Sequence, residues 1–311
     1  MKKIFDILGI YYYHVNMRIK KILTCVLMLI FLLHVAAAQE AEDTEKTGET
    51  EKKKQEEVKK DTPFFKCLLE DSAEIFSSPF RMKGKDFLIW GGVAVITGVL
   101  IANDEVIYRR FKSYQEKHKW VDDVSPHVTK LGLGEWNLGI GGAFYLGGAL
   151  LKDKRARETA RLILMTYIHT GLTAQLGKHF TGRKEPWDDG LDHWAGPEGF
   201  FKRYKDGQMR YYDAFPSGHT ISIFGTATVV AEMYKKTIWV PVLSYSLATL
   251  CGLSRVTEDT HWLSDVFLGA VLGYAIGKFV VKKRNRLGKG RLNVYPVATT
   301  RQVSLGVNYV F

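Results

Sequence analysis

Six stretches of this 311-residue chain carry the pattern of tightly packed helices: Asp86 to Asn103, Trp136 to Leu151, Ala160 to Lys178, His219 to Tyr234, Ile238 to Val256 and His261 to Val281. Most stay apolar for about 14 to 18 residues, near the length that crosses a bilayer. They are rich in Gly, Ala, Ser and Thr, which let helix backbones approach closely in a membrane or in a soluble bundle. No repeat or strand-rich region interrupts them. The expected core is therefore all-α, a six-helix bundle. The chain ends differently: Val303, Leu305, Val307, Tyr309 and Phe311 alternate strictly, which is the period of a strand. Leu292 to Ala298 is its candidate partner in a short C-terminal β-hairpin. A terminal Phe on an alternating strand resembles an outer-membrane barrel signal, yet one hairpin cannot close a barrel.

Ahead of the helices, Arg18, Lys20 and Lys21 precede the apolar run Ile22 to Val35, followed by Ala36-Ala37-Ala38-Gln39. A basic start, a core too short for a comfortable span and a small-residue cleavage site make a secretory signal peptide. Residues 1–38 are assigned to it, with Met17 as an alternative start and an uncleaved anchor as the alternative reading. Cys25 lacks the small residues that should precede a lipidated cysteine, and Cys67 and Cys251 alone make no disulfide framework. Residues 39–62 are nearly all charge and cannot bury enough surface to fold, so a disordered tether is expected. Residues 63–286 then form the functional domain and 287–311 a tail. The formal charge of +11 comes without any nucleic-acid motif, so the Lys and Arg clusters read as membrane-flanking or phosphate-facing.

The chemistry sits at the helix ends. Phe215-Pro216-Ser217-Gly218-His219-Thr220 opens the fourth stretch. Ser217 can cap that helix while free backbone N–H groups around Gly218 face outward, a ready anion site that on its own is no more than an ordinary cap. Further on come Ser254-Arg255, five residues, His261, three residues and Asp265. Four apart at a helix start, His261 and Asp265 share a face. Asp265 can then accept from one imidazole nitrogen and leave the other as a nucleophile. Arg255 offers a fork of donors to a phosphoryl oxygen. Lys178, followed by Thr181-Gly182-Arg183-Lys184-Glu185-Pro186, adds positive charge at the end of the third stretch.

Together these segments resemble the three-part signature of the type 2 phosphatidic acid phosphatase family, which also holds bacterial acid phosphatases and vanadium haloperoxidases. That signature is Lys, six residues, Arg-Pro; then Pro-Ser-Gly-His; then Ser-Arg, five residues, His, three residues, Asp. The second and third parts match at every specified position. In the first, Lys178 and Pro186 match but Glu185 stands where Arg is expected, and Arg183 is the candidate substitute. The resemblance implies metal-independent, cofactor-free phosphoryl transfer, with His261 as nucleophile, His219 as acid and then base, and Asp265 orienting His261. Lys178, Arg183, Ser217, Gly218 and Arg255 would bind the phosphate. It implies as partners a lipid phosphate or diphosphate and the membrane. A vanadate-dependent peroxidase and a catalytically impaired envelope protein are the alternatives.

Asp188, Asp189, Asp192 and His193 could be drawn as a metal cluster, but an acidic exposed loop explains them more simply. The aromatic residues between Trp187 and Ala214, Trp194 and Tyr212 among them, are expected to shape a substrate entrance or rest on headgroups. His169 and Gln175 read as satisfied interior polar groups. Basic loops at Lys152 to Arg161 and Lys235-Lys236, with the tail Lys282 to Arg286, fall opposite the site segments. By the positive-inside rule this points the site to the periplasm from an inner-membrane location. A cleaved leader followed by six spans would point it the other way.

Overall fold

The structure, a computed structural model, describes residues 64–186, 194–197, 212–287, 291–299 and 302–310. The expected leader and tether lie outside the described residues. Eight α-helices are present among those described: α1 (Phe64–Ser77), α2 (Gly84–Lys117), α3 (Trp120–Val128), α4 (Gly134–Leu150), α5 (Lys154–Thr181), α6 (Gly218–Met233), α7 (Trp239–Thr257) and α8 (Leu263–Leu287). Short 3-10 turns at Ser78–Arg81 and Thr129–Gly132 link α1 to α2 and α3 to α4. The chain is thus mostly helical. Six of the helices overlie the expected stretches, and α1 and α3 are additional. Beyond α8, the backbone of β1 (Arg291–Thr299) pairs antiparallel with β2 (Gln302–Val310), Arg291 opposite Val310.

The longest of the eight is α2, at 34 residues. Its apolar run ends at Asn103, but no Gly or Pro follows before Lys117, so nothing stops the helix and it continues as a polar extension. The 18-residue apolar window of α2 is only 6% buried, and α2 and Leu263–Arg284 of α8 are each long and apolar enough to cross a membrane. Phe87, Leu88, Val95 and Val99 of α2, Leu146 and Leu150 of α4, and Leu247 and Leu250 of α7 are exposed. An apolar belt of this extent marks contact with lipid or with another protein.

At the centre, α6 packs on α5, α7 and α8. Ile221, Ile223, Ala227, Val229 and Ala231 are buried along it together with Thr220, Thr226 and Thr228, as suits a helix surrounded by others. Its buried hydroxyls are satisfied: Thr228 Oγ1 donates to the Phe224 carbonyl at 2.7 Å and Thr226 Oγ1 to Asn137 Oδ1 at 2.7 Å. The closest contact is with α8, through a ridge of Gly269, Gly273 and Gly277. A Cβ at these positions would lie 3.0 Å from the Ser217 carbonyl oxygen, 2.4 Å from that of Ile221 and 2.8 Å from that of Gly225. Only glycine allows the two backbones so near.

The bundle has two polar ends. At one, Arg155 Nε donates to the Met233 carbonyl at 2.7 Å, Arg284 Nε meets Glu158 at 3.2 Å, and Lys283 ties α8 to Asp71 and Glu74 of α1 at 2.8 and 2.6 Å. The basic loops gather here. The other end collects the termini of α5 and α7, the starts of α6 and α8, and the polar extension of α2.

Candidate active site

Helix α5 ends in a left-handed glycine, Gly182 at φ +50°, where a Cβ would strike the Gly196 carbonyl at 2.4 Å. This turn sends Lys178 and Arg183 in different directions. Lys178 Nζ reaches Asp213 at 3.3 Å and lies next to Gly218, whose added Cβ would meet it at 3.5 Å. Ser217 caps α6, its Oγ accepting from Thr220 Oγ1 at 2.9 Å and from Thr220 N at 3.4 Å. His219 follows on the first turn, backed so closely by Gly132 that a Cβ there would sit 2.6 Å from the His219 Cβ. Arg255, in the last turn of α7, donates through Nη1 to Thr129 and Glu258, each at 2.6 Å. Its Nε is buried with no hydrogen-bond partner among the described residues, a donor left for a ligand.

His261 is buried just ahead of α8, and its Nδ1 lies 2.7 Å from the Ala214 carbonyl oxygen. A carbonyl only accepts, so Nδ1 must carry the proton and Nε2 keeps its lone pair. Burial, together with the charges of Arg255 and Lys178, holds the imidazole well below its ordinary pKa of 6.5. It is therefore neutral. His219 is pushed down to about 3 by burial first, then by Arg255, His261 and Lys178. Each of these groups feels the others' charge, so the structure brings together Lys178, Ser217, Gly218, His219, Arg255 and His261 from all three sequence segments.

Two residues are placed differently from the sequence expectation. Asp265 is not the hydrogen-bond acceptor of His261, since its Oδ2 lies 3.7 Å from Nδ1 and accepts instead from Trp262 N at 2.8 Å. The tautomer is set by a backbone carbonyl, which no side-chain pattern displays. Arg183, the candidate phosphate clamp, is 0% exposed. It is held by Asp104 through Nη2 at 2.8 Å and by Asp265 and Ser264 through Nη1 at 2.5 and 2.6 Å. Its fork is engaged by carboxylates, with the ring of Trp194 lying 4.6 Å from it. Glu185 is buried, with its charge felt at Arg255.

Sequence reasoning missed Asp104, Thr129, Asp213, Ala214 and Glu258. Only Glu258, one helical turn after Arg255, left a local signal. His169 is fully buried, with Nδ1 3.4 Å from Ser72 Oγ and Nε2 unpartnered among the described residues. It is interior as expected, but only half satisfied. The acidic group Asp188, Asp189, Asp192 and His193 lies outside the described residues, and no metal-binding group occurs among those described.

An 85-residue stretch is 35% identical to the lipid A 1-phosphatase of Porphyromonas gingivalis, covering 27% of this chain and 19% of that protein. A 68-residue stretch is 37% identical to the bacitracin transport permease protein BcrC of Bacillus licheniformis, covering 22% and 32% respectively. The chain thus spans less than a third of the length of either relative. The crystal structure of the first transmembrane PAP2 type phosphatidylglycerolphosphate phosphatase from Bacillus subtilis, 20% identical, covers 63% of this chain and 95% of its own with a TM-score of 0.47. Residues 159–289, which contain every matched motif residue, fit the PAP2 superfamily.

Proposed function

We propose that the protein is a metal-independent phosphatase that hydrolyses a phosphate or diphosphate ester of a lipid through a phosphohistidine, in a six-helix catalytic bundle. The observation that carries this reading is His261, neutral, with its proton fixed on Nδ1 by the Ala214 carbonyl and its Nε2 lone pair available. In the first step Nε2 bonds to phosphorus while the P–O bond to the leaving group breaks, and the departing alkoxide takes a proton from His219. In the second, His219 accepts a proton from water as the water oxygen bonds to phosphorus and the P–N bond breaks. Burial and the charges of Arg255 and Lys178 hold the proton off His219 in the empty site, and a bound phosphate dianion would offset those charges and favour its protonation. Lys178, Arg255, Ser217 and the Gly218 amide stabilise the equatorial oxygens. Asp265 orients the loop of His261 through Trp262 N.

A lipid substrate is supported by the exposed apolar belt and by a cavity of about 150 Å³ between α4, α6 and α7. Its lining is apolar, including Phe144, Ile223, Ala227 and Leu247. Leu131, next to the Gly132 that backs His219, is one of its lining residues. The relative named as a lipid A 1-phosphatase points to the same substrate class. The basic end of the bundle belongs on the cytoplasmic side, which turns the site toward the periplasm. That orientation keeps α1, tied to the basic end by Lys283, on the inner side.

The test is phosphate release by the detergent-purified protein, with a metal chelator present, from phosphatidate, phosphatidylglycerophosphate, polyprenyl diphosphate, lipid A and a soluble ester. Wild type should release phosphate and give an acid-labile phosphoenzyme, and His261→Ala should do neither. Turnover by His261→Ala, or activity that returns only with Mg²⁺ or Zn²⁺, would overturn the mechanism.

A further inference from the structure

We infer that Asp104 of α2 is a positioning residue for His261, acting through Arg183 and Asp265. The inference rests on His261 being the nucleophile. Asp104 lies in α2, well ahead of residues 159–289, and belongs to none of the sequence motifs. It is 1% exposed, and its contacts converge on the start of α8. Oδ2 accepts from Arg183 Nη2 at 2.8 Å and from the Ser264 hydroxyl, and Oδ1 accepts from Ser264 N at 3.1 Å. Arg183 passes the link on to Asp265, whose second oxygen holds the Trp262 amide next to His261.

Charge counting shows what Asp104 does. A guanidinium facing Asp265 alone would neutralise it. With Asp104 present, Arg183 is shared between two carboxyl groups, and Asp265 Oδ2 stays 3.7 Å from His261 Nδ1. That nearby carboxyl group matters most when Nε2 bonds to phosphorus and the ring becomes cationic, so it favours the transition state over the resting site.

The same face of α2 grips the other side of His261. Tyr108 and Lys112, one and two turns after Asp104, bind Asp259 at 3.0 and 2.5 Å, and Lys112 reaches the Thr257 carbonyl at 3.5 Å. Asp259 sits at φ +60°, a conformation few non-glycine residues adopt and one that neighbours must hold. Tyr108 also meets the Trp262 ring edge-on, with centroids 5.7 Å apart. One stripe of α2 thus fixes the loop on both flanks of the nucleophile.

The experiment compares wild type, Asp104→Asn and Ser264→Ala, each as full chain in detergent, by phosphate-release kinetics and by hydrogen exchange of the amides of residues 258–266. Asp104→Asn should lower kcat by about 10- to 100-fold with KM changed less than about twofold, because the residue touches no substrate. Exchange in the loop should speed up at least about tenfold. Ser264→Ala, which removes only the bridging hydroxyl, should move both readings the same way by less, and it serves if Asp104→Asn does not fold. Unchanged kcat and unchanged exchange, or a raised KM at constant kcat, would overturn the inference. Wild type that releases no phosphate from any substrate would sink the phosphatase reading alone. The exchange comparison would then still decide whether Asp104 holds the loop.

Discussion

Both ends of the helix bundle are rich in charge, but they hold it in opposite ways. At the basic end the partners are side chains with some access to water: Lys278 with Glu232, Arg284 with Glu158, Lys283 with Glu74. At the site end, Arg183, Asp104 and Asp265 have no access at all, and two histidines are kept neutral by burial. Solvated pairs add little to stability and loosen easily, whereas a buried ion leaves its partner stranded when it is removed. The basic end can therefore tolerate change. The site end stores its chemistry in groups that are individually unfavourable and collectively compensated.

Substitution at the site end should show this contrast most strongly. Arg183→Ala leaves two buried carboxylates facing each other, and a loss of about 3–5 kcal/mol is expected, read from thermal unfolding in detergent. A variant that keeps wild-type stability would mean that the buried ions are not mutually dependent.

Acid should act next. His219 and His261 have folded pKa values below the ordinary 6.5, so the unfolded chain binds more protons than the folded one in that window. Stability is fully present above about pH 6.5 and is lost as pH falls toward about 3, the value for His219. The melting temperature should drop between pH 7 and 5, less steeply in His219→Gln, and a flat profile in wild type would contradict the neutral state of these rings.

The smallest effect belongs to the basic end. Lys278 is 44% exposed, so Lys278→Ala should change stability by only about 0–1 kcal/mol, by the same thermal measurement. A change as large as that of Arg183→Ala would erase the distinction between the two ends.

The same contrast explains what could be read from the sequence. Ser217, His219, Arg255 and His261 were legible because helix starts and short spacings place neighbours in sequence beside one another in space. The helical core was legible for the same reason, through runs of small and apolar residues. The clamp on Arg183 was not, because Asp104 arrives from a different helix and carries no local signal. Nor was the orientation of His261, which depends on the carbonyl of Ala214. The length of α2 was misjudged because an apolar run measures contact with lipid or core, and a helix of polar residues can continue past it until a breaker appears. Likewise α1 and α3 fall outside the apolar runs that marked the other six helices.

The glycine ridge of α8 also sets geometry at a distance. Its three notches admit the backbone of α6 at Ser217, Ile221 and Gly225, all at matching heights, so the two helices mesh in a single register. Because His219 rides at the top of one helix and His261 just above the other, that meshing levels the two histidines against each other. A slip of one turn would offset them by about 5.4 Å. The vertical alignment of His219 and His261 is thus calibrated by the teeth of a helix pair that extends well below the site.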